Sequence, residues 1–162
     1  MNVYITYDRY EHDEWYWVYH IETNKKRAIK HFKENDLIDF LSYGPDDCHA
    51  FQLVKVSMPK KDYIRFCEMV ENEKIQNTNS DKELKSMLMS IYGETNYEVE
   101  TIFFTDGCSD CVDLIDFYID NYDIETEEYE SEDDIRDRIM KNLFDDDELM
   151  KKVLSDYIEA TY

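Results

Sequence analysis

Three glycines and two prolines in 162 residues leave few places for left-handed turns or chain breaks, so most of the chain is expected in regular helix and strand. No apolar run approaches the roughly 20 residues that a membrane-spanning helix needs. The start of the chain, MNVYITYDRY, has no basic stretch followed by an apolar one and does not read as a secretory signal. The expected compartment is the cytosol. The four cysteines, Cys48, Cys67, Cys108 and Cys111, are then expected as thiols rather than disulfides.

Positive charge is missing from one long interval. Between Lys85 and Arg136 lie fifty residues with no Lys, Arg or His and sixteen Asp or Glu. The stretch NYDIETEEYESEDD, residues 121–134, holds eight of those carboxylates. The net charge of −21 is therefore uneven: residues 1–90 carry 16 acids against 13 bases, net −3, and residues 91–162 carry 23 against 5, net −18. Such a region repels phosphates, which argues against direct contact with nucleic acid or with an anionic membrane. A basic protein surface, or a cation, is its natural partner.

Apolar residues make up 43% of the chain and aromatics 15%, with fourteen Tyr and eight Phe, so this is a folded chain and not a disordered acidic tail. The length suits one domain over residues 1–162. IQNTNSD, residues 75–81, is the candidate internal boundary, and residues 86–135 form the acidic region.

The patterning predicts strands over 2–7, 15–22, 50–58 and 97–105, the first two joined as a hairpin across RYEHDE. In the second strand, Trp15, Trp17, Tyr19 and Ile21 are expected on one face and Tyr16, Val18 and His20 on the other. YGPDD reads as a turn. A short helix is expected around RAIKHFKEN and a longer one behind Pro59, where Tyr63, Phe66, Cys67 and Val70 recur at buried-face spacing. DKELKSMLMSIYG makes a further helix. SEDDIRDRIMKNLF is expected to be capped by Ser131, and DDELMKKVLSDYIEA closes the chain as a helix. Residues 111–122 fit a helix or a strand. The expected class is α+β: a small, mainly antiparallel sheet packed with helices, and a helical, acidic C-terminal half.

Taken as a helix, residues 110–123 sort their side chains. Leu114, Tyr118, Cys111, Tyr122, Ile115, Ile119 and Val112 fall between about 40° and 200° around the axis. Asp110, Asp113, Asp116, Asp120 and Asp123 fall between about 220° and 360°, with Phe117 among them. Like charges at this spacing destabilise a helix by roughly 0.2–0.5 kcal/mol per pair. The C-terminal helix interleaves Lys151 and Lys152 with its acids; this ridge has no such relief. On the last strand, Glu98 and Glu100 share a face roughly 6.6 Å apart, with Tyr97, Val99, Thr101 and Phe103 on the other. A row of carboxylates at such intervals can occupy a groove built for phosphates. The expected partner-binding face comprises Glu98, Glu100, Asp106, Asp110, Asp113, Asp116, Asp120, Asp123, Glu125, Glu127, Glu128, Glu130, Glu132 and Asp133. Tyr97 and Tyr129 join it, because tyrosine set among carboxylates suits an Arg-rich surface.

In size, charge and aromatic content the chain resembles the small acidic proteins by which phages inhibit bacterial defence, the anti-CRISPR and anti-restriction DNA mimics. No sequence motif carries the resemblance, so no functional residue is transferred. It implies a non-enzymatic inhibitor of phage or mobile-element origin, seated in the nucleic-acid channel of a CRISPR nuclease or another defence enzyme. The expected partner is a basic nucleic-acid-binding protein. An immunity protein or antitoxin for a basic nuclease toxin has the same look.

Catalytic and cofactor motifs are weak. TIFFTDGCSDCVDLIDFYI has the strand, Cys-x-x-Cys and helix order of a thioredoxin-like site. No Pro follows Pro59, however, and the neighbouring Asp106, Asp110 and Asp113 would raise a thiol pKa rather than lower it. Cys108 and Cys111 with Cys48 and His49 make an awkward zinc set. A redox or zinc protein built on Cys108 and Cys111 remains the reading from a different class. No window meets the calcium-loop pattern, no glycine-rich phosphate loop is present, and His12, His20, His31 and His49 are scattered without a catalytic pairing. No cofactor, metal or catalytic residue is expected.

Overall fold

The computed structural model describes residues 1–10, 15–42, 49–76 and 81–162, with the side chains of Trp15 and of residues 107–111 outside the description. The hairpin turn RYEHDE beyond Tyr10, the YGPDD turn and most of the 75–81 connection therefore lie outside the described residues. The architecture is α+β, with an antiparallel four-stranded sheet. Two compact units are present: Met1–Phe32 with Cys48–Asp106, and Lys33–Asp47 with Gly107–Tyr162.

The first unit holds the sheet. Strands β1 (Asn2–Tyr10), β2 (Trp15–Glu22), β3 (His49–Ser57) and β4 (Glu98–Asp106) pair in the order β2-β1-β3-β4. Helix α1 (Lys25–His31) follows β2, with Asn24 accepting from the Arg27 N–H as its N-cap. Helices α3 (Lys60–Gln76) and α4 (Lys82–Tyr92) lie between β3 and β4 in the chain. One face of the sheet buries Val3, Ile5, Tyr7, Tyr16, Val18, Val54 and Val56 against Phe66, Met69 and Val70 of α3 and Leu84, Leu88 and Ile91 of α4. On the other face Phe32 stacks between Phe51 and Phe103, ring centroids 5.4 and 5.3 Å away. Both faces of β1 and β3 are thus covered, and both strands are buried over most of their length, the polar Thr6, Asp8 and Gln52 included.

Two bulges correct the expected alternation. Thr6 pairs with His20 and Tyr7 with Val18, so Tyr19 is an extra residue in β2. One inserted residue exchanges the faces of everything beyond it. Ile21 accordingly packs with Tyr16 and Val18 instead of with Tyr19, while His20 stacks on His31 at 3.7 Å. In β4, Leu53 pairs with Phe103 and Val54 with Thr101, leaving Ile102 as the extra residue. Phe103 therefore sits on the Phe32 side, opposite Val99, and not on the face expected for it.

The second unit is helical. A five-residue π-helical turn, Phe32–Asp36, leads into α2 (Leu37–Ser42), whose Leu37 and Leu41 are fully buried. With it go α5 (Gly107–Asn121), α6 (Glu132–Asp145) and α7 (Asp147–Thr161). Residues 111–122, the ambiguous run, are helical as far as Asn121. Leu114 and Ile115 of α5 are buried, as are Ile139 and Leu143 of α6 and Met150, Val153, Leu154, Tyr157 and Ile158 of α7. Ser131 caps α6, its Oγ accepting from the Asp134 N–H at 3.2 Å, as its position before a helical run predicts. No helix among the described residues is long and apolar enough to cross a membrane.

A candidate acidic interface

The carboxylates of the second unit fall into three local settings. On α5, Asp113 and Asp120 are exposed and Asp116 is half-buried. Phe117, which the helical projection set among these aspartates, turns instead toward α7 and meets the edge of Tyr157 at 5.7 Å. Val112, placed on the apolar side, is exposed. The buried stripe is thus rotated toward Phe117, and the outer face remains that of the aspartates. The helix ends at Asn121, so Asp123 lies beyond it. The Asp110 side chain is outside the described residues. The ridge on described helix is Asp113, Asp116 and Asp120, about 10 Å long at 1.5 Å per residue.

The second setting is the segment from Tyr122 to Ser131, which is not helical. Asp123, Glu125, Glu127 and Glu128 are exposed, and Tyr129 is 94% exposed. The segment is held at its far end. Arg138 of α6 donates from Nη2 to Glu130 Oε2 at 3.0 Å and to the Glu125 carbonyl at 2.8 Å. The Glu130 N–H donates to the Glu127 carbonyl at 3.1 Å, closing a turn around Tyr129. At the near end the Tyr122 hydroxyl donates to the Asp156 carboxylate of α7, a charge-assisted bond that pushes the Tyr122 pKa up to about 12. Tyr122 is half-buried, with Tyr118 at 5.1 Å between ring centroids.

The third setting is the first turn of α6, where Glu132, Asp133 and Asp134 are exposed. Carboxylates here face the positive end of the helix dipole and stabilise the helix locally. Their presence needs no partner to explain it. That cannot be said of Asp113 and Asp120 in the middle and last turns of α5.

Two arginines from outside the cation-free interval enter it in three dimensions. Arg136 Nη1 lies 2.5 Å from Asp116 Oδ1, and Arg138 binds Glu130. Asp116 and Glu130 are thus neutralised internally. Asp113, Asp120, Asp123, Glu125, Glu127, Glu128, Glu132 and Asp133 carry no ion pair among the described residues.

In the first unit, Glu98, Glu100 and Asp106 are exposed on β4. Lys55 of β3 donates to Glu100 at 2.9 Å, which holds that carboxyl below its usual range. Tyr97 is not a free aromatic: it packs against the sheet core and its hydroxyl donates to Asp62 at 3.0 Å. One polar pair has no signature in the sequence. His49 Nδ1 lies 2.7 and 2.9 Å from the two oxygens of Asp8, and burial pushes the Asp8 carboxyl up while His49 pulls it down. The antiparallel pairing of β1 with β3 brings these residues together across 41 positions of chain. No local spacing encodes that.

Cys48 and the side chains of Cys108 and Cys111 lie outside the described residues, and with them the zinc and redox readings. Among the described residues no cluster of three or more His, Cys, Asp or Glu is disposed to hold a metal ion. No protein-family profile matches the chain, and no curated protein and no solved structure matches it either.

Proposed function

We propose that this protein is a non-enzymatic inhibitor that binds a nucleic-acid-processing protein, a CRISPR nuclease or another defence enzyme, through a carboxylate surface that imitates nucleic acid. The observation that carries the reading is the uncompensated acidic face of the second unit. Asp113 and Asp120 on α5, then Asp123, Glu125, Glu127 and Glu128 on the segment held by Arg138, have no ion pair among the described residues.

Along α5 the two open carboxylates, Asp113 and Asp120, stand about 10 Å apart along the axis, the rise of roughly three phosphates at about 3.4 Å each along one DNA strand. The imitation is that of a single backbone strand at reduced charge density. A carboxylate at each of these points accepts charge-assisted hydrogen bonds from arginines that otherwise hold phosphate. Tyr129, projecting from the turn, adds a ring on which a guanidinium stacks. Recognition of this kind gives fast association that weakens steeply with salt.

The test is competitive. The immobilised protein is exposed to a host lysate, and retained proteins are eluted once with a salt gradient and once with duplex DNA. Retention of a nuclease or its complex that DNA displaces supports the reading. Retained partners that release with salt but ignore excess DNA would sink it, since their binding site is then not a nucleic-acid channel.

A further inference from the structure

Among the described residues the sheet order β2-β1-β3-β4 gives β4 a strand neighbour on one side only, β3. An edge strand presents a row of N–H and C=O groups able to pair with another chain. Of the nine residues of β4 only Thr105 is buried, and Phe104 is 56% exposed, whereas β3 is buried over most of its length. The strand carries Glu98, Glu100 and Asp106 and no Lys or Arg. Glu100 has Lys55 beside it; Glu98 has no ion pair among the described residues.

We infer that the open edge of β4 accepts an extended, cationic segment of a partner protein as a fifth strand. Backbone pairing supplies the affinity of such additions, and alternate side chains supply the selectivity. Lys or Arg at every second position of the incoming strand lies beside Glu98 and Glu100, which share a face with Lys55 and Ser57 across the ladder. The intervening side chains meet Val99 and Thr101 on the other face. A second copy of this chain is the wrong occupant: antiparallel β4 against β4 sets carboxylates against carboxylates, which destabilises the pairing. The inference rests on the first unit alone and is independent of the polyanion reading of residues 107–162.

The experiment is a titration of the intact, isotope-labelled protein with a short synthetic peptide alternating Lys with Thr and Val, read by backbone amide shifts and amide hydrogen exchange. Shifts and slowed exchange are expected across Glu98–Asp106. The same peptide with Pro at the Thr and Val positions keeps the charge but cannot pair, and is expected to leave β4 unchanged. Glu98→Lys, at an exposed site, is expected to weaken the peptide about fivefold. Shifts confined to residues 113–134, equal effects from the Pro peptide, an unchanged affinity in Glu98→Lys, or concentration-dependent protection of β4 without peptide would each overturn the inference.

Discussion

Arg136 of α6 reaches Asp116 on the outer face of α5, Nη1 to Oδ1 2.5 Å, and so removes the middle carboxylate from an otherwise open row. Asp113 and Asp120, on either side of it, are exposed. The three aspartates are equivalent in helical projection and different in the folded chain.

That difference sets the first prediction. Replacing Asp113 and Asp120 together by Lys should leave the far-ultraviolet dichroism and melting temperature unchanged or slightly raised, because like-charge repulsion on α5 is relieved. Partner retention in the lysate experiment should be lost. Asp116→Lys should instead cost stability, roughly 0.2–1 kcal/mol for the exposed pair it breaks, since it sets a lysine beside Arg136. Urea denaturation separates the two variants, and a stable Asp116→Lys protein would show the ion pair to be idle.

Arg138 predicts a local effect. It holds both the Glu130 carboxylate and the Glu125 carbonyl. Arg138→Gln should speed amide exchange over residues 125–131 with little change in the buried stretches of α6 and α7. Partner binding should weaken as well, because the carboxylates of the segment then have to be ordered at the moment of association. Unaltered exchange over 125–131 would mean that the arginine is not what positions the segment.

Tyr122 should titrate late. Its hydroxyl donates to Asp156, and its pKa stands at about 12 against an ordinary 10.0. A group whose pKa is raised by folding contributes stability that is complete below its unfolded value and disappears as pH rises through the folded one. Tyr122→Phe should therefore be less stable than the parent at neutral pH, with the gap closing between about pH 10 and about pH 12. Difference absorbance of tyrosinate in parent and variant follows the same group directly. A parent and variant with the same late tyrosine titration would remove the assignment.

Asp8 gives an acid-range test of the same sign. It is 3% exposed, and burial raises its carboxyl above the ordinary 3.8 despite the opposing hydrogen bond from His49. The folded chain thus holds this proton more tightly than the unfolded one. Its stabilising contribution is present below that ordinary value and is lost as pH rises through the raised one. Relative to Asp8→Asn, the parent should lose stability as pH is raised from about 4. Denaturation midpoints measured across pH 4–6 should diverge; parallel curves would mean that Asp8 keeps its ordinary titration.

The elements read best where the signal is local. Pro59 and the spacing of Phe66 and Val70 announce α3, and both residues are buried in it. Ser131 ahead of an amphipathic run announces the start of α6. The strands were legible too, since their β-branched and aromatic runs are bounded by polar turns. What failed was alternation across Tyr19 and Ile102. A bulge is a property of a pair of strands, and a single strand's sequence does not contain its partner's register.

The acidic region divides along the same line. Its charge, its cation-free length and the outward face of Asp113 and Asp120 follow from sequence, because helical periodicity and composition are local quantities. Which of its carboxylates stay uncompensated was decided by the fold. Arg136 and Arg138 follow the interval in the chain and come back onto it through the packing of α6, so the pairing of Asp116 and Glu130 depends on a contact between elements that no spacing rule reports.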